Sequence, residues 1–144
     1  MTTAIRAATD ADHPRLVSLW RAAVEATHDF LTPADIDRLA DTVAGYLPAV
    51  PDLRVAVADD GSSTGFLGCD DREILMLFVD PARHGQGIGT ALIDALGPGP
   101  LRVDVNEQNP SGRRFYAARG FVPVGRSDLD GEGMPFPLLH LRRD

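Results

Sequence analysis

Between Val79 and Thr90 the chain reads Asp-Pro-Ala-Arg-His-Gly-Gln-Gly-Ile-Gly, which places Gly85, Gly87 and Gly89 at the end of an apolar run, Glu73 to Val79. Each glycine inside a regular element costs about 0.5–1 kcal/mol, so neither a strand nor a helix is expected to run through all three. Beyond them Thr90, Ala91, Leu92, Ile93, Ala95 and Leu96 recur at helical spacing, so a strand must hand over to a helix here. Glycine lets a backbone approach a ligand closely. Unpaired N–H groups at a helix start, with the positive end of the dipole, suit an anion such as a pyrophosphate. An ordinary tight turn that needs positive φ angles would use the same residues. Two other phosphate motifs fit badly. A Walker loop needs a lysine and the chain has none, while a dinucleotide fingerprint needs glycine where Thr90 stands.

The rest of the chain supplies more strands and helices around this turn. Thr3 to Ala8 reads as a first strand. Asp10 or Asp12 is placed to cap a helix that has Pro14 in its first turn and Leu16, Leu19, Trp20, Ala23 and Val24 along one face. Thr32, Pro33 and Asp35 start a second helix with Ile36, Leu39, Ala40 and Val43 buried, ended by Pro48 and Pro51. Leu53 to Ala58 and Gly65 to Cys69 form a hairpin about an Asp-Asp-Gly-Ser-Ser turn. Leu101 to Val105 alternates as a strand, Asn109-Pro110 begins a helix that ends at Gly120, and Phe121 to Val124 and Leu138 to Leu141 close the sheet. This order predicts one mixed α/β domain over residues 1–144, a mostly antiparallel central sheet flanked by about four helices.

Composition removes several classes of function. A formal charge of −7 repels phosphate backbones and no basic run offsets it, so nucleic acid is not an expected partner. No stretch of 18 apolar residues occurs and the first residues lack a basic-then-apolar leader, so no membrane association and a cytoplasmic location are expected. The single cysteine, Cys69, has no internal partner, and no His or Cys spacing points to a metal.

The segment Asn-Pro-Ser-Gly-Arg-Arg-Phe-Tyr-Ala-Ala-Arg-Gly-Phe, residues 109 to 121, follows the glycine turn at a characteristic distance. Glycine turn, Asn, Phe-Tyr and Gly-Phe together resemble the GNAT superfamily of N-acetyltransferases from first strand to last. Ala-Thr-His-Asp-Phe-Leu at 26 to 31, Asn-Glu-Gln-Asn at 106 to 109 and the Pro-Phe-Pro-Leu-Leu near the end resemble the small bacterial YjaB-type members. One departure is His84, which stands where the superfamily pattern has Gln or Arg. It puts a fixed positive side chain beside the phosphates in question, not the backbone contacts.

The resemblance implies acetyl-CoA as cosubstrate and a peptide or small-molecule amine as acceptor, with no metal. It implies that Leu77, Phe78 and Val79 pair through their backbone with the thioester arm. It further implies that His84, Gly85, Gln86, Gly87, Ile88, Gly89, Thr90, Asn106, Asn109 and Tyr116 contribute to the cofactor site. Tyr116, at the family's tyrosine position, is the expected acid for the departing thiolate; an amphipathic core tyrosine is the other use of such a residue. Glu73, on the strand that carries a base in other members, is the candidate base, or else part of a solvated acidic turn with Asp70 and Asp71. His28, Asp29 and Phe30 are expected to border the acceptor, although a histidine at a helix C-terminus is favourable without a function. A monomer or homodimer fits. A silent acyl-CoA sensor is the alternative of a different class.

Overall fold

The computed structural model describes residues 3–144, and its architecture follows from how strands and helices share two cores. In chain order the elements are β1 (Ala4–Ala7), α1 (His13–Thr27), α2 (Pro33–Tyr46), β2 (Asp52–Val57), β3 (Ser63–Asp70), β4 (Glu73–Val79), α3 (Ile88–Asp94), β5 (Leu101–Asn106), α4 (Pro110–Ala118), β6 (Val122–Ser127) and β7 (Leu138–Arg143). The strands form one sheet in the order β1-β2-β3-β4-β5-β7-β6, antiparallel throughout except for β4 against β5. This is the mixed α/β arrangement expected from the sequence. Among the described residues no helix is long and apolar enough to cross a membrane.

Sheet alternation sends side chains to opposite sides, and each side is covered by a helix pair. Leu16, Leu19, Trp20 and Val24 of α1 and Ile36 and Val43 of α2 pack on Val55 and Phe66. Ile88, Leu92 and Ile93 of α3 and Tyr116 of α4 pack with Leu67, Ile74, Val103 and Val105 on the other side. Cys69 is a buried thiol in this second core.

The start of α2 is as expected: the Asp35 amide donates to Thr32 Oγ1 at 3.1 Å and the Thr32 amide to Asp35 Oδ2 at 3.0 Å. The start of α1 is different. Asp12 does not cap it, because its carboxylate already accepts two N–H groups of Arg6 at 2.8 and 2.9 Å and the Thr9 amide at 2.8 Å. A 3-10 turn at residues 10–12 therefore precedes the helix. α3 stops at Asp94, short of Leu96, where Gly97 and Gly99 take positive φ and turn the chain back toward the sheet. β6 runs longer than its apolar residues suggested. It is an edge strand with mostly exposed side chains, held by its ladder with β7, so it needs no apolar alternation.

The join between β4 and β5 positions the site. The β3–β4 hairpin turns at Asp71 and Arg72, both at positive φ. The Arg72 guanidinium donates to the carbonyls of Leu96 at 2.7 Å and Pro100 at 2.8 Å, and the Arg102 amide donates to the Arg72 carbonyl at 3.0 Å. These bonds tie the starts of β4 and β5 together. The parallel pairing covers just Glu73 with Arg102 and Ile74 with Val103. At that point Leu75 bulges out of the β3 ladder, and the two strands separate.

Candidate active site

Separation of β4 from β5 opens a cavity of about 420 Å³ whose walls are Leu75–Val79 on one side and Val103–Asn106 on the other. Beyond Ile74 the β4 edge that faces β5 has no strand partner, so its backbone groups are open to an extended ligand. The glycine turn and the first turns of α3 and α4 close one end, and the C-terminal end of α1 closes the other.

Each glycine of the turn has its own reason. Gly85 and Gly87 lie at φ +80° and +74°, left-handed angles that other residues rarely hold. Gly89 is needed for space: a Cβ there would stand 2.9 Å from Phe115 Cζ. Phe115 is held in place by the Arg119 guanidinium, 4.0 Å over its ring. Ala91 is the first residue of α3 whose amide is taken up, by the Gly87 carbonyl at 2.9 Å. The amides from Gly85 to Thr90 find no acceptor among the described residues, which makes this wall an array of donors.

Asn109 caps α4 through its Oδ1, which accepts from the Gly112 amide and the Ser111 hydroxyl, both at 3.1 Å. The cap sets the helix direction and so the place of Tyr116. That ring is buried edge-on between Phe115 and Phe121, at 5.2 and 5.3 Å, and it lines the cavity. Burial pushes the phenol well above its ordinary pKa, and no group among the described residues bonds its hydroxyl.

At the other end of the cavity His28 is 7% exposed and burial lowers its pKa from 6.5 to about 4, with Asp29 opposing the shift weakly. Its Nδ1 lies 2.7 Å from Thr27 Oγ1, and Thr27 Oγ1 lies 2.7 Å from the Ala23 carbonyl. The threonine has one proton and donates it to the carbonyl. Nδ1 must then donate to the threonine, and Nε2 is left as the acceptor of a neutral imidazole. The Phe30 ring packs at a tilt against His28, with centroids 5.2 Å apart, and Phe136 likewise against Phe30 at 5.8 Å, so the loop before β7 braces this end.

Most of the residues expected at the site meet here: Leu77, Phe78, Val79, His84, Gly85, Gly87, Ile88, Gly89, Thr90, Asn106, Asn109, Tyr116 and His28 all line the cavity. Gln86 and Asp29 are exposed and outside the lining, and Phe30 acts one layer behind. Glu73 is not brought to the cavity. It sits at the tied end of β4, two residues or about 7 Å of strand before Leu75, where the cavity wall begins, and faces Arg102 at 4.0 Å. Among the described residues no cluster of His, Cys, Asp and Glu is arranged to hold a metal. Asp104 and Arg119 line the cavity and were missed. Asp104 looks like a polar position of an alternating strand, and nothing local distinguishes it from Arg102.

A family model described as Acetyltransferase (GNAT) domain matches residues 51–123. The chain is 41% identical over 140 residues to the peptidyl-lysine N-acetyltransferase YjaB of Salmonella typhimurium, covering 95% of each chain. It is similar to the solution structure of apo YjaB from Escherichia coli, at a TM-score of 0.90 and 37% identity over 99% of this chain and 97% of that one. It shares its fold with the PaiA N-acetyltransferase of Thermoplasma acidophilum, a structure in complex with coenzyme A, at a TM-score of 0.72 and 21% identity over 100% and 99% of the two chains.

Proposed function

Because the chain belongs to the GNAT acetyltransferase family, we propose that it moves the acetyl group of acetyl-coenzyme A onto the side-chain amine of a peptide lysine. The observation that carries this reading is the open β4 edge along one wall of a cavity whose end is closed by the unpaired amides of the glycine turn. An extended pantetheine arm can pair with that edge, and a pyrophosphate can take the amides. The PaiA structure holds coenzyme A on the same fold, and the Salmonella relative is named for peptide lysine.

The ammonium gives one proton to water, its nitrogen attacks the thioester carbonyl, the carbon–sulfur bond breaks, and the second proton of the nitrogen passes to the departing sulfur, so that an amide, a thiol and one released proton result. A lysine amine with pKa ≈ 10.4 is roughly one part in a few thousand neutral at pH 7, about 4–5 kcal/mol away from the reactive form. Tyr116 serves the other end of the reaction. Its raised pKa keeps the proton on the phenol, so it stabilises the developing thiolate mainly by donating a hydrogen bond, as a donor held in place by its buried ring. His28, neutral at pH 7, can stand beside an incoming ammonium without repelling it and offers Nε2 as an acceptor. Glu73, paired toward Arg102 at the start of β4 and outside the cavity lining, is not part of this reading.

Calorimetry with acetyl-CoA, followed by thiol release in the presence of a lysine-containing peptide, tests the proposal. Binding and peptide-dependent thiol release are expected. Binding without any transfer would leave a silent acyl-CoA sensor, and absence of binding by the folded protein would overturn the reading. The chain has no lysine, so acetylation of its own side-chain amines adds no background.

A further inference from the structure

A hydrogen-bonded row of side chains crosses three strands on the sheet face opposite α3 and α4. Asp104 Oδ1 on β5 lies 2.6 Å from His140 Nδ1 on β7, and His140 Nε2 lies 2.7 Å from Ser127 Oγ on β6. Asp104 and His140 are register partners, so the backbone ladder itself sets them side by side. His140 lies over Gly125, where a Cβ would come within 3.3 Å of its Cδ2, so the missing side chain gives the ring its place.

Donor counting decides the protons. An ionised carboxylate accepts and does not donate, so Nδ1 of His140 carries a proton; in the neutral ring Nε2 then accepts from the Ser127 hydroxyl. The row therefore spends one oxygen of Asp104 and leaves the other without a hydrogen-bond partner among the described residues. Its flanking cations are engaged elsewhere. Arg102 donates to the Asp71 carbonyl and faces Glu73, Arg142 pairs with Asp144, and Arg126 pairs with Glu107 and Asp128. Asp104 is the one carboxylate among the residues that line the cavity. Exposed, free of arginine and held on one side by His140, this carboxylate has its second oxygen open to a cation that enters the cavity.

We propose that Asp104 binds the ammonium of the acceptor lysine, and that His140 and Ser127 are positioning residues which hold its carboxylate in line by the Nδ1–H bond. The proposal rests on the acetyl-transfer reading above and adds to it the residue that selects a charged amine. Asp104 pairs the cation as it enters, opposite the neutral His28 at the end of α1. An amine without charge gains nothing from it.

The test compares two acceptors in steady-state kinetics at pH 7: a lysine-containing peptide, and the same peptide with p-aminophenylalanine, an uncharged aromatic amine, in place of the lysine. Asp104→Asn is expected to raise KM for the lysine peptide by about 10- to 100-fold, the usual range for a lost charged hydrogen bond. KM for the aromatic amine and the calorimetric affinity for acetyl-CoA should change by less than about threefold. His140→Asn keeps a donor at the Nδ1 position and should leave the lysine KM near the wild-type value, whereas His140→Leu should raise it by about tenfold with kcat little changed. An equal rise for both acceptors in Asp104→Asn, or identical behaviour of the two His140 variants, would overturn the proposal. Calorimetric binding of the lysine peptide to the coenzyme A-saturated protein needs no turnover. Peptide binding that is lost in Asp104→Asn supports the proposal even where the wild type transfers no acetyl group, an outcome that counts against the acetyl-transfer reading alone.

Discussion

The two ends of the cavity are built by opposite means. The turn from Arg83 to Thr90 and the start of α4 present mostly backbone, and each is shaped by a short contiguous motif. The end proposed for the acceptor presents side chains, Thr27 and His28 from α1 and Asp104 from β5, with His140 and Ser127 behind them. A backbone site tolerates replacement of side chains wherever space and φ allow. A side-chain site depends on the hydrogen-bond partners of its members, most of all at buried His28, where a polar group left unpaired costs about 1–3 kcal/mol. The backbone-built end should thus be insensitive to substitution at most positions, and the side-chain end proposed to meet the acceptor should be sensitive.

Tyr116→Phe should give the largest effect, because it removes a side-chain donor from the backbone-built wall. We expect turnover to fall by about 10²- to 10³-fold, typical for loss of one preorganised donor, with acetyl-CoA affinity and thermal stability nearly unchanged. Full activity in the variant would return Tyr116 to a packing role between Phe115 and Phe121.

The acceptor end should show itself in acid. His28 has a pKa of about 4 in the native protein against 6.5 in the unfolded chain. Below 6.5 the unfolded chain takes up a proton that the native protein refuses, so this stabilisation is full above pH 6.5 and is lost as pH falls toward 4. Relative to His28→Gln, which does not titrate, the wild type should lose about 2–3 kcal/mol of unfolding free energy between pH 7 and 4.5, read by urea unfolding. Parallel pH profiles would mean that His28 is protonated freely in the native state.

Gly89→Ala probes the one place where the backbone wall is tightly packed. With Cβ at 2.9 Å from a Phe115 ring that Arg119 covers, about 1–3 kcal/mol of stability should be lost, and Phe115→Leu in the same chain should recover part of it. A double variant no better than Gly89→Ala would show that the clash lies elsewhere. The smallest effect is expected at His84, which is exposed and follows the pattern least. His84→Ala should change acetyl-CoA affinity by less than about threefold, since the turn binds by its amides; a tenfold loss would erase the contrast between the two walls.

Legibility in the sequence follows the same division. Thr32-Pro33-Asp35, the three glycines and Asn109-Pro110 act on backbone within a few residues, and each formed the local structure that its chemistry requires. The Asp12 cap failed because Arg6 and Thr9 compete for the same carboxylate, a rivalry between elements that local rules do not weigh. Glu73 was placed by its strand, and the strand is where it was expected. The distance from the cavity depends on where β4 and β5 part.

By itself the sequence determined the order of elements, the donor-rich turn and the aromatic place of Tyr116, because capping, φ preference and hydrophobic period act over three or four residues. Tertiary structure alone decided that β4 and β5 pair at two positions and then diverge, that Thr27 sets the tautomer of His28, and that Asp104 meets His140 across 36 residues of chain. Those outcomes depend on strand register and burial, and both are properties of the whole sheet rather than of any segment in it.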